Sequence, residues 1–514
     1  MDGMTLRPRT ARGLKLLIAV AACLNVSLAS AQSDDASRDL LVRAAGAMGG
    51  HDRLRQLDNL VMTGFGQRYA ANGALSADPK TPPKWVVVAD AERIFDLRNE
   101  RALNRERNDN MFPFAARFGH EMNRPNRLQT GAAMLDHPLP AVLEALDEET
   151  TLGSVQVEDG IAVVEFTIED GTSLWIGIDT QTDLPYWTRR ITGDTTLGDL
   201  TRTTWFTGYL PHDGVWLPTG IMEEIDWRDQ TTLMFQVDSY RLDVAELPEF
   251  PEPSLSPPPQ EPNVVVTQIS DGVWDVAVLR GERRDGGAVI EFNDHLVMFE
   301  PYGSEAATLA RIDAANRLVS GKEVTAVVVS HHHADHAGGV RAAVSRGITI
   351  IGQRRTGALF EEWVARPAVL FPDELAINPQ PLKFQAVDEH LVLEDSMRRL
   401  DVYHAVGHMH MSDALFAYLP EERIIMEGDF TDNSWDFNWW AGAMQANIDR
   451  YDLDPELDIP VHGAVASVEE KLARTAEQAA NAQAFCASLA ENGRYLLGCP
   501  VQHSTAGPQV LGFR

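Results

Sequence analysis

The residues best suited to chemistry are crowded into one stretch, Val327-Val328-Val329-Ser330-His331-His332-His333-Ala334-Asp335-His336-Ala337-Gly338-Gly339. An apolar, β-branched run ends there, and four histidines and an aspartate follow within six residues, ahead of a glycine pair. A buried strand breaking into a polar loop delivers side chains to the carboxyl edge of a sheet, where open α/β sheets hold their ligands. Imidazoles and a carboxylate crowded this closely repel one another or stay costly to desolvate unless a common partner binds them. A divalent metal does so best, and nitrogen plus oxygen donors at this density favour zinc over calcium or magnesium. The bland alternative is a solvated polar loop with chance histidines. It suits a lone histidine, whereas His-x-His-x-Asp-His behind a strand has metal-ligand spacing. His331 and His333 lie two apart on an extended or looped backbone, so both side chains can face one way. Asp335 and His336 follow at once, able to face a second ion.

Further donors recur downstream at strand ends and glycine turns: Gly407-His408-Met409-His410, Gly428-Asp429 and Pro460-Val461-His462-Gly463. Between the last two lies Trp435-Asp436-Phe437-Asn438-Trp439-Trp440, four aromatic rings in six residues. In a loop joining two ligand candidates, Trp435, Phe437, Trp439 and Trp440 either wall a substrate pocket or pack the loop onto the body. The pocket reading implies a small-molecule substrate with an aromatic or lipophilic group.

The elements that must position these groups read as α/β. Strand-like segments occur at 264–269, 273–279, 288–292 and 296–300, and Ser304 caps a helix to about residue 318 with Ala306, Leu309, Ile312 and Ala315 at helical spacing. Residues 324–330 form the strand that delivers the histidines, and a helix begins at Gly339. Further strands are expected at 349–352, 391–393, 399–404, 415–419 and 423–426, and a long helix at 468–489. The first half has another texture. After a short amphipathic helix within 32–50, alternating runs at 84–89, 163–168, 172–179 and 232–240 are punctuated by Asp-Gly pairs at 159–160, 170–171 and 213–214. That pattern predicts one large antiparallel sheet of hairpins. Its histidines (His51, His120, His137 and His212) are scattered and read as structural or exposed. Seven prolines within residues 247–262 mark an extended spacer between the halves.

The order His-x-His-x-Asp-His, Gly-His, Gly-Asp, Pro-x-His-Gly resembles the metallo-β-lactamase superfamily over about residues 263–490. The resemblance implies an αββα sandwich and two zinc ions per chain. It gives His331, His333 and a histidine of the Gly-His segment to one ion, and Asp335, His336 and His462 to the other, with Asp429 bridging. His408 and His410 compete for the third position at the first ion. In the family that ligand stands about ten positions before the proline ending the next strand, which selects His410 (ten before Pro420) and matches Asp413 to the polar residue three after it. His408 then falls behind the ligands, His404 is structural, and His332 points away. The implied chemistry is attack of a metal-bound hydroxide on an acyl carbon, with Asp335 as catalytic residue orienting the nucleophile and passing on its proton. A bridging carboxylate resembles glyoxalase-II-like thioesterases and lactonases more than β-lactamases. Around residues 37–245, Ile178–Pro185, Phe206-Thr207-Gly208-Tyr209 and Gly214-Val215-Trp216-Leu217-Pro218 resemble the half-barrel of periplasmic lipoprotein carriers.

The 514-residue chain is too long for one ordinary core. The expected division is a signal peptide at 1–31, a β-rich half-barrel-like domain at 32–247, a linker at 248–262 and a metallo-β-lactamase-like domain at 263–514. Arg7, Arg9, Arg12 and Lys15 precede an apolar run from Leu16 to Leu24, and Ala29-Ser30-Ala31 supplies a cleavage pattern, so a periplasmic or secreted location is expected. The run is too short to span a membrane. Val20-Ala21-Ala22-Cys23 offers a lipoprotein-anchoring variant. After cleavage Cys486 and Cys499 remain, as a disulfide or as two buried thiols. A net charge of −31 repels phosphate backbones and excludes nucleic acid as a partner. The leading expectation is an exported zinc hydrolase of ester, lactone or thioester bonds. The alternatives are a β-lactam hydrolase and a non-catalytic periplasmic lipid-binding protein.

Overall fold

A computed structural model describes residues 29–70, 74–81, 83–110, 122–123, 127–251, 261–281, 283–408, 410–431, 438 and 440–491. Most of the expected signal peptide (residues 1–28, with Cys23) and Trp435, Phe437, Trp439 and Cys499 lie outside the described residues. Cys486 is disulfide-bonded. Among the described residues no helix is long and apolar enough to cross a membrane.

The alternating runs of the first half build a 13-stranded antiparallel sheet. It starts with β1 (Asn59–Ala70), β2 (Lys84–Asp96) and β3 (Arg101–Asn110), and β1 also pairs with the last strand, Gln230–Leu242. Asp159-Gly160 and Asp213-Gly214 turn two of the hairpins with both residues at positive φ, the backbone that a tight two-residue hairpin requires. Successive strand residues face opposite sides. Leu60 and Met62 join the core formed with Leu40, Leu41 and Ala44 of the helix Ala29–Ala47, Met48 just beyond it, and Leu139 and Val142 of the helix Pro138–Ala145. Val61, Ile94 and Leu103 form a second cluster, on which Phe250 of the proline-rich stretch is buried. That stretch therefore begins as packed chain, because one aromatic ring finds an apolar face.

The second half is a sandwich of two sheets. One runs in the order Asn263–Ser270, Val273–Arg280, Ala288–Glu291, Leu296–Phe299, Val324–Val328, Thr349–Gln353, Lys383–Val387. Its last four strands are parallel, as helical crossovers demand. The other runs His390–Glu394, Arg399–His404, Leu415–Leu419, Ile424–Glu427, Leu457–Pro460, Ala466–Ser467. Val297, Phe299, Val328 and Ile351 of the first meet Val402, Ala417, Met426 and Ile459 of the second in a shared apolar core. The helices Glu305–Ala315, Val340–Ser345 and Thr356–Ala365 cover one outer face, and Ala443–Arg450 and Val468–Glu491 the other. The chain is thus mixed α/β, with an αββα sandwich behind a large antiparallel sheet.

The halves are docked. Trp227 Nε1 and the Arg228 guanidinium donate to Glu362 at 2.8–3.1 Å, and Arg366 donates to the carbonyls of Leu197 and Asp199 and to Asp226. Leu197, Leu200 and Trp227 join the core under the helix Thr356–Ala365. The connection between β1 and β2 extends furthest into the second half: the Leu75 carbonyl accepts the Ser412 N–H at 2.7 Å.

Candidate metal centre

Five histidines and two aspartates meet at strand ends. The strand Val324–Val328 runs out into His331 and His333, and a single helical turn, Ala334–Ala337, carries Asp335 and His336. His410 precedes Leu415–Leu419, Asp429 follows Ile424–Glu427, and His462 follows Leu457–Pro460. His331, His333, His410 and Asp429 bring one ligand atom each within 4.8 Å of one another, and Asp335, His336 and His462 do the same. The structure thus brings all seven expected donors together, with Asp429 in the group of His331, His333 and His410.

Asp429 joins the groups. Its Oδ2 lies 3.0 Å from His410 Nε2 and 3.7 Å from His331 Nε2, and its Oδ1 lies 3.2 Å from His336 Nε2 and 3.3 Å from His462 Nε2. His333 Nδ1 is 3.0 Å from His410 Nε2, and His336 Nε2 is 3.2 Å from His462 Nε2. Ligand atoms on a tetrahedral ion with bonds of about 2.0–2.1 Å stand roughly 3.3–3.4 Å apart. The observed spacings bracket that value.

The outer ring nitrogens of His331, His333, His336 and His462 face polar partners, which turns the inner ones toward the centre. His462 Nδ1 bonds Asp285 Oδ1 at 2.7 Å, and Tyr302 Oη donates to Asp285 Oδ2 at 2.8 Å. His331 Nδ1 pairs with Ser330 Oγ at 3.0 Å; His336 Nδ1 faces Ser330 Oγ at 3.3 Å and Glu300 Oε1 at 3.6 Å. His333 Nε2 donates to the Ala74 carbonyl at 3.0 Å. Such outer partners fix which nitrogen of a ligand histidine carries the proton. Inside, His331 Nε2 and Asp429 Oδ1 are buried with no hydrogen-bond partner, an arrangement that fits bound cations and would otherwise be costly.

The charges divide accordingly. Burial, with the neighbouring His336, holds His331 well below the usual histidine pKa, and burial, with His410, does the same for His333. Burial alone would lower His462 as well, but its bonds to Asp285 and Asp335 lift it to about 10. His336 is likewise raised, because Asp429 and Asp335 outweigh its burial, and Asp429 is held well below the carboxylate range mainly by His336. Asp335 is the open member, its side chain 60 % exposed.

The neighbours sort as the sequence pattern implied. His332 turns away and pairs with buried Asp413 at 2.9 Å, and His404 Nε2 bonds the Ser412 carbonyl. His408 is stacked on Phe430, its ring centre 6.1 Å from that of His410, and burial lowers its pKa to about 3. Trp440 corrects the substrate-wall reading: it is 3 % exposed, stacks on His410 at 4.8 Å and donates its indole N–H to the Asp429 carbonyl at 2.7 Å. It positions ligands. Sequence reasoning missed Asp285, Glu300, Ser330, Tyr302 and Ala74; Ser330 stands within the histidine stretch, while the others carry no spacing signal.

Residues 288–436 match the family model described as the metallo-beta-lactamase superfamily. This stretch belongs to the metallo-β-lactamase superfamily. The match spans the strand that delivers His331 to His336, His410 and Asp429, and a metal-dependent hydrolase is the activity the superfamily suggests. Among solved structures, a metallo-beta-lactamase from Pontibacter korlensis is 19% identical, covering 41% of this chain and 96% of its own with a TM-score of 0.33. The metallo-beta-lactamase DIM-1, in a crystal exposed to ceftazidime, is 18% identical, covering 43% of this chain and 99% of its own with a TM-score of 0.34. No curated protein matches the chain.

Proposed function

We propose that the protein is an exported hydrolase that uses two zinc ions to cleave an ester, lactone or related acyl bond. The observation that carries this reading is Asp429, whose two oxygens each face a different histidine group. Five imidazoles and two carboxylates form the donor set, a balance that favours zinc over oxygen-seeking calcium or magnesium. His331, His333 and His410 would hold one ion, Asp335, His336 and His462 the other, with Asp429 between them.

Zinc bound there supplies a water of pKa lowered from about 15.7 toward ~7 and a Lewis acid for the acyl oxygen. The chain's own residues do the rest. Asp335, exposed beside the buried donors, accepts the proton of the attacking water and carries it toward the leaving group. Asp285, Ser330 and the Ala74 carbonyl keep three imidazoles in the tautomers that point lone pairs inward. The net charge of −31 disfavours anionic substrates and supports an uncharged, lipophilic one. Export rests on the basic and apolar leader with Ala29-Ser30-Ala31 at its end.

A screen of aryl esters, acyl-lactones, thioesters and a cephalosporin, with zinc content measured alongside, tests the reading. Turnover within the first three classes is expected. Turnover of the cephalosporin alone would establish a β-lactam hydrolase instead, and none after zinc loading would leave a binding protein.

A further inference from the structure

The N-terminal sheet encloses a polar cavity of about 220 Å³ that the metal chemistry does not use. Four arginines on neighbouring strands line it. Three are matched by carboxylates: Arg68 with Glu106 at 2.9–3.2 Å, Arg190 with Asp136 at 3.0–3.2 Å, and Arg202 with Glu223 at 3.1 Å. Arg93, from β2, is not. Among the described residues it forms no ion pair; its guanidinium carbon stands 5.1 Å from the centre of the Phe235 ring, and its buried Nε has no hydrogen-bond partner. Opposite it on β3, the Oδ1 of Asn104 is also buried and unbonded.

Among the described residues the cavity thus brings four guanidinium groups against three carboxylates, and Arg93 is the one with no carboxylate of its own. Burial and the neighbouring Arg68 press the Arg93 pKa down, against the opposing pull of Glu106, Asp136 and Glu223, and a guanidinium keeps its proton at neutral pH. An anion held in the cavity would give Arg93 the partner that its three neighbours already have. A single negative charge evens that count, whereas a phosphate dianion would reverse it. A planar carboxylate also matches the guanidinium fork. The space is below that of drug-sized ligand pockets, and Ile221 and Leu233 offer a small apolar patch beside the charges.

We propose that this cavity binds one small monocarboxylate, its carboxylate on Arg93 and its short alkyl tail against Ile221 and Leu233. The site is separate from the metal centre and its occupancy does not depend on hydrolysis.

Calorimetric titration of the full chain with sodium butyrate tests the proposal, with butanol and inorganic phosphate as controls. The expected result is one saturable butyrate site per chain, no binding of butanol and weaker binding of phosphate. Arg93→Met should weaken butyrate binding at least tenfold, Arg93→Lys should weaken it less, and the bound zinc should be unchanged in both. Without ligand, Arg93→Met should melt no lower than the wild type, because it removes a cation with no carboxylate of its own, whereas a structural arginine would lower the melting temperature. Absence of saturable butyrate binding, tighter binding of phosphate, or butyrate binding unchanged in Arg93→Met would overturn the proposal. So would a lowered melting temperature in Arg93→Met.

Discussion

Asp429 holds the two histidine groups together under strain. Its φ of 63 lies in the left-handed region, which costs a non-glycine residue on the order of 1–3 kcal/mol. The strain persists because neighbours over-determine it. Trp440 grips the Asp429 carbonyl, and Gly428 lets the chain pass so close that a Cβ there would collide with the Ser330 hydroxyl. Asp285 works one bond further out. Asp285→Asn should weaken zinc binding about 10–100-fold, as loss of such outer partners does, in a competition titration against a chelator; unchanged affinity would show that Asp285 does not orient His462. His332 sits between ligands yet serves the fold. His332→Ala leaves the Asp413 carboxylate buried without its partner, at a cost of about 3 kcal/mol, to be read from the denaturant midpoint and slope.

Among the elements, the β1–β2 connection ties the first half to the site. Its Ala74 carbonyl takes the outer proton of His333, and its Leu75 carbonyl takes the N–H of Ser412. Replacing residues 74–81 by a short Gly-Ser turn should lower zinc affinity about 10–100-fold through His333, with the far-ultraviolet circular dichroism unchanged. Equal affinity in the shortened protein would show that the contact is incidental. This contact was not legible in the sequence, since a backbone carbonyl has no residue signature and the partners stand 259 positions apart. The elements that hold the donors were legible. A β-branched run ending in histidines announced the strand Val324–Val328, and Ser304 announced the helix Glu305–Ala315, whose Ala307 N–H it accepts. Four β-strands of the first half were legible by alternation, and the first of them, at 84–89, is longer than its pattern. Alternation stops at 89, whereas β2 continues to Asp96 past a register shift between Ala89 and Glu92, with Asp90 at positive φ. A bulge breaks the period-two pattern without ending the strand.

In the whole molecule, the large antiparallel sheet is bolted to the helix Thr356–Ala365 by Glu362 and Arg366, so the metal centre is assembled at a seam between the halves. The seam explains why the ligands could be read from one half and their support could not: Trp227, Arg228 and Ala74 belong to hairpins whose pairing gives no hint of a distant partner. Zinc-dependent hydrolysis at a two-ion centre is tested most directly by metal stoichiometry linked to turnover. Stripped protein titrated with zinc, with bound metal and acyl hydrolysis measured at each point, should gain activity as occupancy rises to two ions per chain, and His333→Ala should stay inactive at every point. Hydrolysis by rigorously metal-free protein, or full occupancy at a single ion per chain, would contradict it.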